Sequence, residues 1–278
     1  MNSLYTEHTV EISSFDGYII NCRVYEPLGQ KKADILCLHG IQSHSGWYGK
    51  SSRYLAGAGY RVIFPDRRGC GMNKEKRGSL NYWQDLLCDI EYILKHFSCP
   101  MRIHLLAISW GAKLATMIAY SNYPWLDKLI LITPGIIAQV GFNLIGKLKI
   151  AGNFLFHGGN SFFPIPIAQA SYFTNDKQYQ EYIEHDNLML RQATARFFVH
   201  NNIIDTKLAK LKTTCTVPAF MLLARDDRII DNTRTQRFFT NHFIHPKSMF
   251  KYYCDCAHTL EFDIPCLSFV DDIISFLE

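Results

Sequence analysis

Leu105-Leu106-Ala107-Ile108-Ser109-Trp110-Gly111 is the stretch on which the reading of this chain turns. The apolar run Ile103 to Ile108 has the composition of a buried strand and stops at a serine. Behind it, Gly111-Ala112-Lys113-Leu114-Ala115-Thr116-Met117-Ile118-Ala119 carries small side chains at helical spacing and ends before Pro124. Strand, serine and helix with almost no loop is the nucleophile elbow, a turn so sharp that the serine projects above the sheet. Residues two before and two after the serine must be small, or they collide with the neighbouring strand and helix. Ala107 and Gly111 meet that demand, so the usual G-x-S-x-G reads A-x-S-x-G here.

Outward from the elbow, the same alternation repeats. Thr9 to Ser13 and Tyr18 to Tyr25 flank Phe15-Asp16-Gly17, which predicts a β-hairpin. Ala33 to Leu38 predicts a buried strand ending in His39-Gly40, followed by a helix from about Trp47 to Ala58 that closes at Gly59. Tyr60 to Phe64 reads as a strand running into Pro65-Asp66-Arg67-Arg68-Gly69-Cys70-Gly71, and Tyr82 to Phe97 has a helical period. Lys128 to Ile132 is a further strand, ending at Thr133-Pro134-Gly135. Strands that alternate with helices and read as unbroken apolar runs imply a mostly parallel sheet covered on both faces. The alternation breaks at about Ile136. It resumes with a strand over Ala219 to Leu223, a helix over Thr233 to Phe243, a strand over Met249 to Tyr253 and a helix from about Cys266 to Leu277. The expected plan is a core of residues 1–135 and 216–278 with a helical cap of residues 136–215 laid over the sheet. Within that insertion, Phe142 to Phe163 is rich in aromatic and aliphatic residues, and helices are expected at Lys177 to His185 and Leu188 to Asn201.

A chain of 278 residues with 48% hydrophobic and 19% charged residues can bury one large core. Its net charge of +4 comes without an arginine-rich run or zinc-ligand spacing, so nucleic acid is not an expected partner. The nine cysteines are scattered through apparent strands and helices, and Cys254 and Cys256 have no matching second pair. Met1 to Gly17 is polar and lacks the pattern of a signal peptide. Reduced thiols in the cytoplasm and no metal or organic cofactor are therefore expected. No apolar stretch has the uninterrupted length needed to cross a bilayer.

A serine hydroxyl is a weak nucleophile and needs a general base oriented by a carboxylate. Two late loops offer them. Ala224-Arg225-Asp226-Asp227-Arg228 follows one predicted strand, and Cys254-Asp255-Cys256-Ala257-His258-Thr259 follows another. Both belong at the carboxyl edge of the sheet, where open α/β sheets place their sites. Ser109 is thus the candidate nucleophile and His258 the candidate base, with Asp226 or Asp227 as the acid. Taken singly, the aspartates could be turn residues and His258 a surface histidine. An acyl-transfer intermediate also needs two donors for its oxyanion. The N–H of Trp110, at a helix N-terminus, and that of Ile41, after His39-Gly40, are the candidates. His39, Gly40 and His44 are candidate substrate contacts, with packing inside the loop as the alternative for His39. His44, His157, His185 and His200 are not expected to do proton chemistry, since none follows a strand late in the chain.

His39-Gly40-Ile41-Gln42-Ser43-His44-Ser45-Gly46-Trp47-Tyr48 resembles the H-G-x-x-x-H-S-x-x-Y oxyanion loop of the monoacylglycerol lipase and lysophospholipase branch of the α/β-hydrolases. Asp66 to Asn73 is similar to that branch's D-x-x-G-x-G-x-S segment, Ala224 to Asp231 to its acid loop, and Cys256-Ala257-His258 to its histidine loop. Asp186-Asn187-Leu188 stands where that family often has Asp-Pro-Leu. The departures are Ala107 for the elbow glycine, Trp110 where many relatives have Met, and Arg68 and Cys70 in the Asp66 loop. They bear on the substrate more than on the reaction. The resemblance implies an α/β-hydrolase fold with a helical cap, and Asp227 as the acid by its register before Arg228-Ile229. It implies hydrolysis of a lipid-like acyl ester such as a monoacylglycerol or lysophospholipid. A thioesterase or acyltransferase on the same residues is the alternative, and a non-catalytic binding protein is a third reading. Residues 136–215 hold eight Lys/Arg against five Asp/Glu, so the cap is expected to select an apolar acyl chain and to touch a lipid surface. Against this stands the reading that its aromatics simply form its own core. The oligomeric state is left open.

Overall fold

The computed structural model describes residues 4–99, 102–121 and 123–278. The chain opens with β1 (Tyr5–Ser13) and β2 (Ile19–Pro27), paired antiparallel across a tight turn. Gly17 holds that turn at φ +80°, a conformation that costs a residue with a Cβ. There follow β3 (Ala33–Leu38), α1 (Gly49–Gly57), β4 (Tyr60–Pro65), α2 (Asp85–His96), β5 (Ile103–Ile108), α3 (Gly111–Tyr120) and β6 (Leu126–Ile132). The next segment carries α4 (Leu144–His157), β7 (Phe162–Pro164), α5 (Lys177–His185), β8 (Gln192–Thr194) and α6 (Ala195–Ala209). Alternation then returns with β9 (Ala219–Ala224), α7 (Asn232–His242), β10 (Met249–Tyr253), the short α8 (Leu260–Asp263) and α9 (Ser268–Leu277).

Eight strands form one sheet in the order β1-β2-β4-β3-β5-β6-β9-β10. β2 runs antiparallel to both its neighbours, and every later pair is parallel. β5 and β9 are buried along their whole length, as strands covered on both faces must be. Ile35, Leu36, Ile103 and Leu105 lose essentially all their exposure, each such burial stabilising the fold by about 1.5–3 kcal/mol. Charged groups inside the fold are paired through hydrogen bonds. Asp34 of β3 accepts hydrogen bonds from Arg61 at 2.7 and 2.9 Å and from Lys31 at 3.0 Å, so its buried oxygens are filled.

Arg68, an unexpected residue in its loop, has a structural task. Its guanidinium bonds Asp89 of α2 at 2.7 and 2.5 Å and Asp16 of the β1–β2 turn at 2.9 Å, while Ser14 Oγ donates to Asp89 at 2.5 Å. Burial pushes the Asp89 carboxyl up, against the pull of Arg68. The hydrogen bonds from Arg68 hold the Asp16 carboxyl below its usual range. The cluster ties the first hairpin to α2 and to the loop after β4.

Residues 136–215, expected as a helical insertion, carry two short strands beside their helices. β7 and β8 pair antiparallel within it, Phe162 opposite Thr194. The helix expected from Leu188 begins at Ala195, where Thr194 caps it by accepting the Phe197 N–H at 3.3 Å. The residues before it are drawn out by distant loops: Leu190 N–H bonds the Gln42 carbonyl and Thr194 N–H the Gly78 carbonyl, both at 2.9 Å. On α4, Leu144, Ile145, Leu148, Leu155 and Phe156 are 64–81% exposed, while Ile150 is buried. Among the described residues no helix is long and apolar enough to cross a membrane. All nine cysteines are unpaired thiols.

Candidate active site

The turn between β5 and α3 carries Ser109 at φ +51°, a strained conformation for a residue with a side chain. Tight packing enforces it. A Cβ on Gly111 would collide with the Leu38 carbonyl, and one on Gly135 would come within 3.0 Å of the Ser109 backbone. Ala107, two residues before the serine, is fully buried, so the sheet does accommodate its methyl group.

Ser109 Oγ lies 2.7 Å from His258 Nε2, and His258 Nδ1 lies 2.7 Å from Asp227 Oδ2. A carboxylate oxygen accepts, so Nδ1 carries the hydrogen and Nε2 is left to accept the serine O–H. The other Asp227 oxygen takes the N–H groups of Ile229 at 2.8 Å and Ile230 at 3.1 Å. Asp226 points into solvent instead. Gln139, just after β6, steadies the acid loop by donating to the carbonyls of Asp227 and Ile230 at 3.0 and 2.9 Å. Loops after β5, β9 and β10 thus deliver three side chains to one hydrogen-bonded line. Such a line lets the serine lose its proton as it attacks a carbonyl, with the resulting imidazolium held by the carboxylate.

Ile41 and Trp110 lie in the loops after β3 and β5. Among the described residues neither N–H has a protein acceptor. The orientation of each is nevertheless fixed through its own peptide unit. The Ser109 carbonyl, which shares a peptide with the Trp110 N–H, accepts from Ala112 and Gly135 at 3.0 and 2.8 Å. The Gly40 carbonyl, which shares a peptide with the Ile41 N–H, lies 2.8 Å from His39 Nδ1. His39 Nε2 accepts the Arg67 N–H at 2.8 Å, and burial drives the imidazole pKa well below its usual value. Both ring nitrogens of His39 are therefore engaged inside the loop. Gly40 N–H donates to Ser43 Oγ at 3.0 Å, and its backbone packs against Ser109, where a Cβ would meet the serine Cβ at 3.3 Å.

His44 is likewise buried with both ring nitrogens occupied, by the Gly46 N–H at 3.1 Å and by Asp186 Oδ2 at 2.9 Å. The same Asp186 oxygen accepts the Trp47 indole N–H at 2.6 Å, and its partner oxygen the Leu188 N–H at 2.8 Å. Burial raises the Asp186 carboxyl, but the bonds from His44 and Trp47 outweigh it and hold the group below its usual range. His44 and Asp186 join the loop after β3 to the segment between β6 and β9.

The Trp110 indole is buried and donates to Asn201 Oδ1 of α6 at 2.7 Å. Lys113 Nζ reaches the same oxygen at 2.9 Å and pairs with Asp205 at 2.5 Å. Burial pushes the Lys113 ammonium below its usual pKa, and Asp205 pulls it back. Neither Gln139 nor Asn201 carries a signal in the sequence, because each acts on groups far away along the chain. Among the described residues no cluster of His, Cys, Asp and Glu is arranged to hold a metal ion.

The chain is similar to mouse monoglyceride lipase, 23% identical over 90% of this chain and 83% of that protein. It is also similar to phospholipase YtpA of Bacillus subtilis (strain 168), 23% identical over 78% of this chain and 84% of the other. Its backbone matches a soluble variant of monoglyceride lipase from Saccharomyces cerevisiae solved with a substrate analog. There the TM-score is 0.83 at 16% identity, with 100% and 97% of the two chains covered. The monoacylglycerol lipase of Paleococcus ferrophilus gives 0.80 at 14% identity, with 98% of each chain covered. Both establish the α/β-hydrolase fold. Residues 29–265 match the family described as serine aminopeptidase, S33, and the chain belongs to that family.

Proposed function

We propose that the protein hydrolyses carboxylic esters of single-chain lipids, of the monoacylglycerol or lysophospholipid kind, through an acyl-enzyme on Ser109. The coarser class is a hydrolase of the esterase and lipase type. The observation that carries the proposal is the unbroken line Ser109–His258–Asp227, with 2.7 Å at each link. In this reading Ser109 Oγ attacks the ester carbonyl carbon as His258 Nε2 takes its proton. The oxyanion that forms accepts from the N–H groups of Ile41 and Trp110. Collapse expels the alcohol, which leaves with the proton from His258. Water then attacks the acyl-enzyme with His258 again as base, releasing the fatty acid and restoring Ser109.

The lipid preference draws on the names of the relatives and on α4. Residues 136–215 act in this proposal as a cap, with Leu144, Ile145, Leu148, Leu155 and Phe156 turned to water beside Lys147 and Lys149. So much apolar surface on one helix of a water-facing protein fits a lipid boundary.

Two measurements test this. A fluorophosphonate should add once per chain, at Ser109, and Ser109→Ala should abolish both the adduct and hydrolysis. Rates should then be compared for p-nitrophenyl esters from acetate to palmitate, monoacylglycerols, lysophosphatidylcholine, acyl-coenzyme A and an aminoacyl p-nitroanilide. Rates that rise with acyl length and favour the glycerol-based esters support the proposal. Preference for acyl-coenzyme A would make the enzyme a thioesterase, and preference for the anilide a peptidase.

A further inference from the structure

We propose that Arg67 is a positioning residue for the oxyanion site, holding the Ile41 loop and the Trp110 ring in register with each other. This rests on the reading above that the N–H groups of Ile41 and Trp110 receive the oxyanion.

Arg67 and Arg68 are neighbours with opposite surroundings. Arg68 meets two carboxylates. Arg67 has no carboxylate within ion-pair distance among the described residues. Its contacts all lie around the two donors. Nη2 donates to the Ile41 carbonyl at 3.1 Å and approaches Cys70 Sγ at 2.9 Å. The guanidinium carbon lies 4.3 Å from the centre of the Trp110 ring and 5.6 Å from that of Phe197. Nη1 is buried and has no partner. An arginine placed for stability fills its planar fork with acceptors. This one leaves a donor unfilled and lies against an aromatic ring instead.

The sheet order explains the reach. β3 lies between β4 and β5, so a side chain from the loop after β4 can span the loop after β3 and meet the one after β5. The backbone of residue 67 takes part as well. Its N–H fixes the His39 ring, and His39 in turn holds the Gly40 carbonyl, at the far end of the peptide bearing the Ile41 N–H. The guanidinium then fixes the next peptide through the Ile41 carbonyl. Residue 67 therefore braces the Ile41 donor on both sides, and its side chain also presses on the residue that bears the second donor. A flat guanidinium can do this while lysine cannot, since an ammonium has no plane to stack.

Donors aimed at an oxyanion act only when correctly placed. Removing one costs about 10²–10³ in kcat, and displacements of an ångström cost about 10². Arg67→Met and Arg67→Lys are therefore expected to lower kcat for a p-nitrophenyl ester by about 10- to 100-fold. KM should stay within about twofold, because the ground-state ester makes little use of these donors. The affinity for an alkyl trifluoromethyl ketone, which forms a tetrahedral adduct on the serine, should fall by the same factor as kcat/KM. A purely structural role would lower the melting temperature and leave kcat and inhibitor affinity per folded molecule unchanged, which would overturn the proposal. Full activity in Arg67→Lys would also overturn it, since charge alone would then suffice. Arg67→Lys keeps the charge and bulk, so it serves as the folded variant if Arg67→Met fails to accumulate. The ketone and Ser109→Ala, applied to the wild-type protein, separate the two readings. Hydrolysis that survives Ser109→Ala removes the catalytic reading itself. A wild-type enzyme that depends on Ser109, with Arg67 variants that keep kcat, removes only this one.

Discussion

Both oxygens of Asp227 are engaged, Oδ2 by His258 and Oδ1 by the N–H groups of Ile229 and Ile230, while its neighbour Asp226 is exposed. Amide substitution should separate them. Asp227→Asn preserves shape but lets His258 take the wrong tautomer, which in a serine triad lowers kcat by about 10⁴. Asp226→Asn should change kcat less than about tenfold, as surface changes do. Steady-state kinetics on both variants, with folding checked by circular dichroism, decides the matter, and the reverse ranking would hand the acid's role to Asp226. The two aspartates could not be told apart by periodicity, because they follow the same strand. What distinguishes them is how the loop closes, and only the family register of Asp227-Arg228-Ile229 hinted at it. Ser109 and His258 were legible because each lies in a segment that follows a strand, β5 or β10, and because their chain order is that of a triad. His39 was legible as a loop residue, yet its engaged ring nitrogens decide between substrate contact and packing in favour of packing. Arg67 gave no sign of its contacts, since a carbonyl and an indole ring leave no pattern in sequence.

At the scale of elements, strands buried on both faces were read to within a residue or two, since an unbroken apolar run has few other uses. Ala33–Leu38 and Ile103–Ile108 match their expected bounds, and so does the edge strand Met249–Tyr253, although its first three residues are exposed. The segment after β6 was read less well. β7 and β8 are three residues each and pair only with one another, so neither has length enough for alternation to show. Residues 188–194 have helical spacing but run from a turn at Leu188 into a short strand, tied through Leu190 and Thr194 to the Gln42 and Gly78 carbonyls, a case of tertiary context overriding local preference. α4 carries a prediction of its own. If its apolar residues meet lipid, Leu148→Glu with Phe156→Glu should weaken binding to anionic vesicles at least tenfold and slow hydrolysis of vesicle-borne monoacylglycerol. Hydrolysis of soluble p-nitrophenyl butyrate should be untouched. Co-sedimentation and the two assays check this. Equal vesicle binding by variant and wild type would leave α4 without a lipid role.

Over the whole molecule, stability should depend on pH through imidazoles that the fold keeps neutral. His104, near the amino end of β5, is buried with Asp127, Lys128 and Asp34 as its charged surroundings. The Asp127 carboxylate stands 3.7 Å from Nδ1, beyond hydrogen-bond reach, and leaves that buried nitrogen without a partner. Burial outweighs the attraction of Asp127 and lowers the His104 pKa to about 4. In the unfolded chain the same ring protonates near its ordinary value of about 6.5. Between those values the unfolded state binds more protons than the folded one, so stability falls as pH falls. Below about 4 this contribution levels off. The full shift corresponds to a loss of about 3 kcal/mol. His39, whose pKa burial also lowers, adds to the slope in the same direction, but it sits in the loop that carries the proposed oxyanion donor Ile41 and is a poor probe. His104 lies at the opposite end of β5 from Ser109, so His104→Gln can be judged on stability alone. Urea unfolding of wild type and variant from pH 7 to 4.5 should show the wild-type free energy dropping faster than that of His104→Gln. Parallel curves over that interval would mean that the folded protein protonates His104 as readily as the unfolded chain does.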